Sequence, residues 1–109
     1  MEDTLDPAIR SYVEASNARD AEALNLCFTP DAVVHDEDVT YRGSDGVSGW
    51  IAHTLAAYVF TLEPMHLARN GGDTTVTFRL TGTFPGSPIE IPFRFTLQGG
   101  KIAALTIGE

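Results

Sequence analysis

The 109-residue sequence contains one cysteine, one lysine and no long apolar run. The single cysteine, Cys27, cannot form an internal disulfide, and it falls on an apolar helical stripe, so we interpret it as a core residue. No apolar stretch approaches the roughly 20 residues that a membrane-spanning helix needs. The first residues, Met1-Glu2-Asp3, are acidic where a secretory signal would be basic. We therefore expect a cytoplasmic protein without a membrane partner.

Positive charge is also scarce. Seven lysine and arginine residues face fifteen acidic ones, which gives a formal net charge of −8. Such a surface repels nucleic acid and anionic lipids, so neither is expected as a partner. The histidines His35, His53 and His66 lack metal-ligand spacing, and residues 36–38 lack the glycine of a calcium loop. Phosphate-binding loops and serine nucleophile motifs are also missing, so we expect no metal and no other cofactor.

The period of the apolar residues changes after Tyr58, from helical to alternating. The predicted helices begin at Asp6-Pro7, at Asp20 and at Ser44, and each start carries a capping residue. Pro30 is expected to end the second helix after a buried stripe that includes Cys27 and Phe28. Pro64 indicates an edge or a bulge in its strand. The predicted strands are Ala32–Asp36, Val39–Arg42, Thr61–Ala68, Thr75–Phe84, Ile89–Leu97 and Ile102–Ile107.

This order, helices first and hairpin-connected strands last, predicts an α+β fold with helices on one face of an antiparallel sheet. The length fits a single domain over residues 1–109. The other face of the sheet carries threonine, arginine and glutamate side chains, which suit either water or a partner subunit.

Several short stretches, taken together, are specific for one fold: Tyr12-Val13, Asn17-Ala18-Arg19-Asp20, Asp31-Ala32-Val33-Val34, Tyr41-Arg42-Gly43 and Phe93-Arg94-Phe95. On these residues nearly the whole chain resembles the nuclear transport factor 2-like superfamily, in particular its small SnoaL-like bacterial members. The resemblance implies a cone-shaped, strongly curved sheet wrapped around three helices, with a pocket at the open end. It also implies homodimers formed through the outer face of the sheet. Ketosteroid isomerase, limonene epoxide hydrolase, scytalone dehydratase and polyketide cyclases share this fold, so the fold alone does not select a function.

Asp36 is the first candidate site residue. Alternation along its strand puts Val34 and Asp36 on one face and His35 on the other. The usual pocket carboxylate of the superfamily falls at Asp36, so the resemblance implies that this face lines the pocket. A carboxylate in an apolar cavity has a raised pKa, which suits a general base. An alternative stays open, in which Asp36 caps the following turn or pairs with Arg42.

Tyr12 is the second candidate. In ketosteroid isomerase a pocket tyrosine donates a hydrogen bond to the developing oxyanion, and the resemblance implies this role for Tyr12. The place of the second oxyanion donor is taken by Ile91, which makes steroid isomerisation doubtful. Apolar residues provide the pocket itself, and Trp50 on the third helix is the one most expected to face it. The predicted pocket residues are Trp50, Val34, Phe78, Phe93 and Tyr58.

Three hypotheses about function follow. The first is a small-molecule-binding domain for a hydrophobic carbonyl or ring compound. The second is an acid–base enzyme of isomerase, cyclase or dehydratase type, with Asp36 as base and Tyr12 as hydrogen-bond donor. The third is a dimeric interaction module without catalysis, in which the polar face of the sheet is the working surface.

Overall fold

The helices lie in the first part of the chain, where a two-stranded hairpin separates the second helix from the third, and the remaining strands follow. The computed structural model describes residues 5–108, and the acidic start at Met1-Glu2-Asp3 lies outside them. Within this range the helices are α1 (Pro7–Asn17), α2 (Ala21–Leu26) and α3 (Gly43–Ala57). The strands are β1 (Phe28–Asp36), β2 (Val39–Arg42), β3 (Phe60–Asn70), β4 (Asp73–Gly82), β5 (Ile89–Gln98) and β6 (Lys101–Ile107). The α+β prediction is confirmed, and no helix of the described range has the length and apolar character needed to cross a membrane.

The strands form one curved sheet in the order β2-β1-β6-β5-β4-β3. Four neighbouring pairs are antiparallel, as predicted, but β1 and β6 run parallel. This pair arises because α3 carries the chain from the β1–β2 hairpin to the far edge of the sheet. Three successive hairpins then return along the sheet, and β6 arrives beside β1 in the same direction. Two residues with positive φ, Glu37 (55°) and Asp38 (65°), form the tight turn between β1 and β2.

Strand β3 is an edge strand with an irregularity, as its internal proline predicts. The register with β4 shifts between Pro64 and His66, and β3 has no sheet neighbour on its other side. An edge strand leaves backbone N–H and C=O groups without ladder partners. Asn17, at the end of α1, supplies such partners, since its Nδ2 donates to the Leu62 carbonyl at 3.1 Å and its Oδ1 accepts from the Leu62 N–H at 2.8 Å.

In the same segment, Asn17-Ala18-Arg19-Asp20, the side chains of Arg19 and Asp20 bond to the other two helices. Arg19 adopts a positive φ of 56°, and its guanidinium donates to the carbonyl oxygens of Leu55 (2.5 Å) and Tyr58 (3.0 Å) at the C-terminal end of α3. A cation at this end is favourable because the last carbonyls of a helix carry partial negative charge. The Asp20 carboxylate accepts from the Ala23 N–H at 3.1 Å, so Asp20 caps α2 as predicted. Residues 17–20 therefore connect α1 to β3, bond to the end of α3 and cap α2.

The predicted end of α2 is wrong. The helix ends at Leu26 instead of continuing to Pro30, and Phe28 already belongs to β1. The chain leaves the helix early because the Cys27 carbonyl accepts from the Ile102 N–H at 2.8 Å, next to the Phe28–Ile102 pair of β1 and β6. Pro30 lies in β1 where the register between Phe28 and Val33 shifts, so its missing N–H disrupts no regular ladder.

Two predicted caps also differ. Asp6 precedes α1, but its carboxylate accepts from Arg69 at 3.1 Å and makes no hydrogen bond to the helix N–H groups. Ser44 lies inside α3, which begins one residue earlier at Gly43, and its hydroxyl donates to the Pro30 carbonyl at 3.3 Å. Both side chains connect separate elements instead of closing their own helix.

The core lies between the helices and the concave face of the sheet. Its largest fully buried side chains are Phe78, Phe95, Ile9, Ile51, Ile102, Leu105, Val34 and Val76. Aromatic rings meet edge to face within it, with ring centroids 4.9 Å apart for Phe78 and Phe93 and 5.6 Å apart for Tyr12 and Phe95. Such pairs add to the stabilisation that burial of the rings alone provides.

We expect the substitution Asn17→Ala to lower the free energy of unfolding by about 1–3 kcal/mol, because the buried Leu62 N–H and C=O would lose their partners. The matched control is Asn25→Ala. Asn25 donates only to the Ala21 carbonyl on the exposed surface of α2, so its loss should cost less than about 0.5 kcal/mol. Urea denaturation measures both values, and equal effects would contradict the role of Asn17.

Candidate functional site

A cavity of about 310 Å³ opens between α1, α3, the β1–β2 hairpin and the strands β3 to β6. Most of its wall is aromatic or aliphatic and is formed by Tyr12, Tyr41, Trp50, Tyr58, Phe60, Leu80, Phe84, Pro85, Ile89, Ile91, Phe93 and Ile107. The polar residues of the wall, Asp36, Glu37, His53 and Thr54, come from only two places, the end of β1 with its turn and one turn of α3. The cavity therefore has a polar end and an apolar body.

Asp36 is the last residue of β1 and lies in the cavity wall. The indole Nε1–H of Trp50 donates to its Oδ2 at 2.9 Å, and among the described residues no other hydrogen bond reaches this carboxylate. The alternative that Asp36 caps the turn or pairs with Arg42 is therefore not what the structure contains. Arg42 lies opposite Val33, on the face of the hairpin that points away from Asp36.

The pKa of Asp36 is raised, and burial is the largest cause. The hydrogen bond from Trp50 lowers this pKa because it stabilises the ionised form, the negative charge of neighbouring Glu37 raises it, and the charge of His53 lowers it. The net result is a carboxylate that binds a proton more tightly than an exposed aspartate does. This property suits a group that must take up a proton.

Tyr12 reaches the same cavity from α1. Its ring is 4% exposed and packs edge to face against Phe28 and Phe95. Burial, and to a lesser extent the charge of Asp36, raises the pKa of the Tyr12 phenol. The phenol therefore stays protonated and remains a hydrogen-bond donor, so the structure brings a proton acceptor and a neutral donor into one cavity.

The predicted pocket residues separate into two groups. Trp50, Phe93 and Tyr58 lie in the cavity wall, with Tyr58 partly exposed and stacked edge to face on Phe84. Val34 and Phe78 are fully buried and do not belong to the wall. Both point inward as predicted, but the cavity is lined by Asp36 and Leu80, two residues further along the same strands. Val34 and Phe78 therefore pack in the core behind the wall.

His53 is a cavity residue that sequence reasoning missed. It lies in the cavity wall, close enough to Asp36 for its charge to lower the pKa of that carboxyl. The available signal was spacing, because His53 and Thr54 follow Trp50 by three and four residues, which places them on the same side of the helix. His35, by contrast, points away from the cavity as alternation predicts, and its Nδ1 lies 2.9 Å from the Thr40 hydroxyl.

No group of three or more histidine, cysteine, aspartate or glutamate side chains in residues 5–108 is placed to hold a metal ion. The one cysteine, Cys27, is buried away from the cavity and donates to the Ala23 carbonyl at 3.4 Å. The titratable side chains of the described cavity wall are Asp36, Glu37, His53 and the phenols of Tyr12, Tyr41 and Tyr58.

We expect His53→Gln to raise the pKa of the Asp36 carboxyl, because the substitution removes a positive charge that favours the ionised carboxylate. The matched control is His35→Gln, which alters the residue next to Asp36 in sequence but on the opposite face of β1. Carbon-detected NMR titration of the carboxyl measures the shift. An equal shift in both variants would mean that His53 does not face Asp36.

Comparison with known proteins adds a family assignment. A family profile described as a SnoaL-like domain matches residues 9–105. No protein of curated function matches the chain. The solved structure of a provisionally assigned polyketide cyclase from Sinorhizobium meliloti is 33% identical in sequence, has a TM-score of 0.89 and is aligned over 94% of each chain.

Two further solved structures share the fold at lower identity. A protein with a ketosteroid isomerase-like fold from Catenulispora acidiphila, solved in complex with trimethylamine, is 21% identical, with a TM-score of 0.81 over 97% of this chain and 87% of its own. A provisionally assigned polyketide cyclase from Pseudomonas putida is 19% identical, with a TM-score of 0.81 over 99% of this chain and 92% of its own. At these identities the likeness concerns the fold alone.

Proposed function

Because the chain belongs to the SnoaL-like domain family, we propose that it binds a small hydrophobic carbonyl or ring compound in the cavity between α1, α3 and the sheet. The observation that carries this proposal is the division of the cavity wall into an apolar body and a polar end at Asp36. Ligand sites typically combine an apolar lining with a few polar groups that fix orientation. The cavity volume of about 310 Å³ is at the lower end for such sites, which favours a ligand of one or two rings.

The wall dictates how such a ligand would lie. The rings of Phe60, Phe84 and Phe93, with Ile89 and Ile91, would bury the hydrocarbon part. A carbonyl oxygen needs a donor, and the Tyr12 phenol supplies one because its raised pKa keeps it protonated. Asp36, with a single hydrogen bond to Oδ2 from the described residues, would then face the carbon atoms next to the carbonyl.

We expect 1-tetralone, a bicyclic aryl ketone, to bind more tightly than tetralin, the hydrocarbon of the same shape. The difference should be about 0.5–1.5 kcal/mol, the net value of one hydrogen bond. Tyr12→Phe should remove this difference, whereas the control Tyr58→Phe, at a partly exposed part of the wall, should keep it. Titration calorimetry measures the affinities. If neither compound binds or stabilises the protein, the binding proposal is wrong.

A second candidate function is proton transfer next to a carbonyl. The pairing of Asp36, whose pKa is raised, with a permanently protonated Tyr12 in one cavity favours it. In this reaction the Asp36 carboxylate takes a proton from the carbon beside the carbonyl. The electron pair of the broken C–H bond forms a C=C bond to the carbonyl carbon, and the π pair of the C=O bond moves onto the oxygen, which gives an enolate. Tyr12 donates a hydrogen bond to the enolate oxygen, and protonated Asp36 then returns the proton to carbon.

In this scheme Tyr12 is the one hydrogen-bond donor assigned to the enolate oxygen. Ile91, at the position where the resemblance to ketosteroid isomerase would require a second donor, lines the cavity with an aliphatic side chain. Loss of one such donor typically costs a factor of about 10²–10³ in rate. We therefore do not propose steroid isomerisation, and a less demanding isomerase, cyclase or lyase reaction fits the site better.

The carbon–hydrogen bonds beside the ketone of 1-tetralone test this second function. We expect the protein to accelerate their exchange with deuterium oxide, and Asp36→Asn to remove at least 99% of the acceleration because an amide cannot accept the proton. Asp38→Asn is the control, since it changes a carboxylate of the same turn that lies outside the cavity wall. Proton NMR follows the exchange. Unchanged exchange in Asp36→Asn would show that Asp36 is not the base.

We also propose a homodimer through the outer face of the sheet. Described residues of that face include the ion pairs Arg79–Glu90 (3.5 Å) and Arg94–Asp73 (3.9 Å). Because the face carries both signs of charge, the same face of a second copy could bind it through ion pairs between the subunits. If the cavity binds nothing, a dimeric interaction module without catalysis becomes the leading function. Native mass spectrometry measures the state directly, and a strict monomer at micromolar concentration would contradict the dimer.

A further inference from the structure

Among the described residues, the cavity wall carries two carboxylates and a single basic side chain. Asp36 and Glu37 lie in the wall, and His53 is its only basic residue. None of the seven lysine and arginine residues of the chain belongs to it. Several of those residues are engaged elsewhere: Arg19 with α3, Arg69 with Asp6, Arg79 with Glu90, Arg94 with Asp73 and Lys101 with the Leu26 carbonyl.

Asp36 therefore has no lysine or arginine beside it in the described wall, and the basic group near it is His53, whose charge lowers the pKa of the carboxyl. The hydrogen-bond donor to Asp36 is the indole of Trp50, which is neutral. A neutral donor orients a carboxylate but does not cancel its charge, and a partly buried charge is costly unless it is fully compensated. Glu37 adds a second negative charge beside it. A ligand that brings a positive charge to this end of the cavity would therefore be stabilised, and a ligand that brings a negative charge would be repelled.

The same end of the cavity is rich in aromatic rings. Trp50 touches Asp36 through its Nε1–H, and Tyr12 is close enough for the charge of Asp36 to raise its pKa. Tyr41 pairs with Val34, on the face of the β1–β2 hairpin that Asp36 shares. The faces of such rings attract cations, with tryptophan the strongest and with larger effects where water is excluded. Carboxylate charge and aromatic faces thus meet at one place.

We propose that the cavity selects its ligand by charge, taking hydrophobic amines whose ammonium group sits beside Asp36 and the Trp50 ring, and rejecting carboxylates. The inference rests on the proposed function, because the same cavity must first bind a small apolar compound. It adds a ligand class to that function. Neutral ketones and hydrocarbons should enter the cavity, but more weakly than an ammonium compound of the same shape.

Three probes of nearly equal shape test the proposal with the full chain: phenyltrimethylammonium, which is a cation, tert-butylbenzene, which is neutral, and 2-methyl-2-phenylpropanoate, which is an anion. NMR titration gives the affinities at pH 8, above the ordinary pKa of a histidine. We expect the cation to bind at least tenfold more tightly than the neutral probe, a difference of about 1.4 kcal/mol. The anion should bind at least tenfold more weakly than the neutral probe.

Two variants distinguish the cavity charge from the general acidity of the protein. Asp36→Asn should bring the cation-to-neutral affinity ratio close to one. Asp38→Asn changes the net charge equally, in the same turn but outside the cavity wall, and its positive φ of 65° tolerates asparagine. This control should retain the ratio. Binding of 1-tetralone by Asp36→Asn would show that the variant is folded.

The outcomes separate the two proposals. If the neutral probe binds as tightly as the cation, or the anion binds as well as either, charge selection is wrong and the apolar pocket stands. A cation preference that survives in Asp36→Asn would reflect attraction to the acidic surface and would also overturn the inference. If no probe and no ring ketone binds, the proposed binding function fails together with it.

Discussion

The hydrogen bond from the Trp50 indole to the Asp36 carboxylate is the contact on which the polar end of the cavity depends. It joins the middle of α3 to the end of β1 at 2.9 Å. Without it, Asp36 would be a partly buried carboxylate with no donor from the described residues, and burying an unpartnered charge is costly. Because Oδ2 is held by the indole, the carboxylate has a defined orientation. Both the proposed binding of a ring compound and the proposed proton transfer require such an orientation.

The position of Trp50 depends in turn on contacts far from it in sequence. Arg19 donates to two carbonyl oxygens at the end of α3, and Asn17 ties α1 to the edge strand β3. These contacts fix how α3 lies across the sheet and therefore where the indole meets β1. A short polar segment between α1 and α2 thus controls the geometry of a site to which its own side chains do not belong.

Periodicity was sufficient to predict most of the fold. Alternation placed Val34 and Asp36 on one face and His35 on the other, and the resemblance assigned the first face to the interior. The structure agrees because one face of the sheet packs on the helices. The predicted end of α2 was wrong because it relied on Pro30, a residue that stops helices. The helix ends earlier, where the backbone of Cys27 bonds to Ile102, a residue far away in sequence. Local patterns do not contain such a contact.

The candidate site was predictable only in part, for a related reason. The resemblance implied site roles for Asp36 and Tyr12, and Trp50 was correctly predicted to face the cavity. The hydrogen bond between Trp50 and Asp36 was not foreseen, because it depends on how α3 lies on the sheet. The position of His53 was missed as well, although its spacing of one helical turn from Trp50 was a usable signal.

The most direct test uses the fact that the chain contains one tryptophan. Its indole N–H gives a single resonance in a proton–nitrogen spectrum, which can be followed through a pH titration without ambiguity. If Trp50 donates to Asp36 in a partly dry cavity, the resonance should shift as the carboxyl ionises, with a midpoint above about 4, the ordinary value for aspartate. The shift should be absent in Asp36→Asn. A resonance that does not respond to pH, or a midpoint at or below the ordinary value, would contradict the proposed structure of the site.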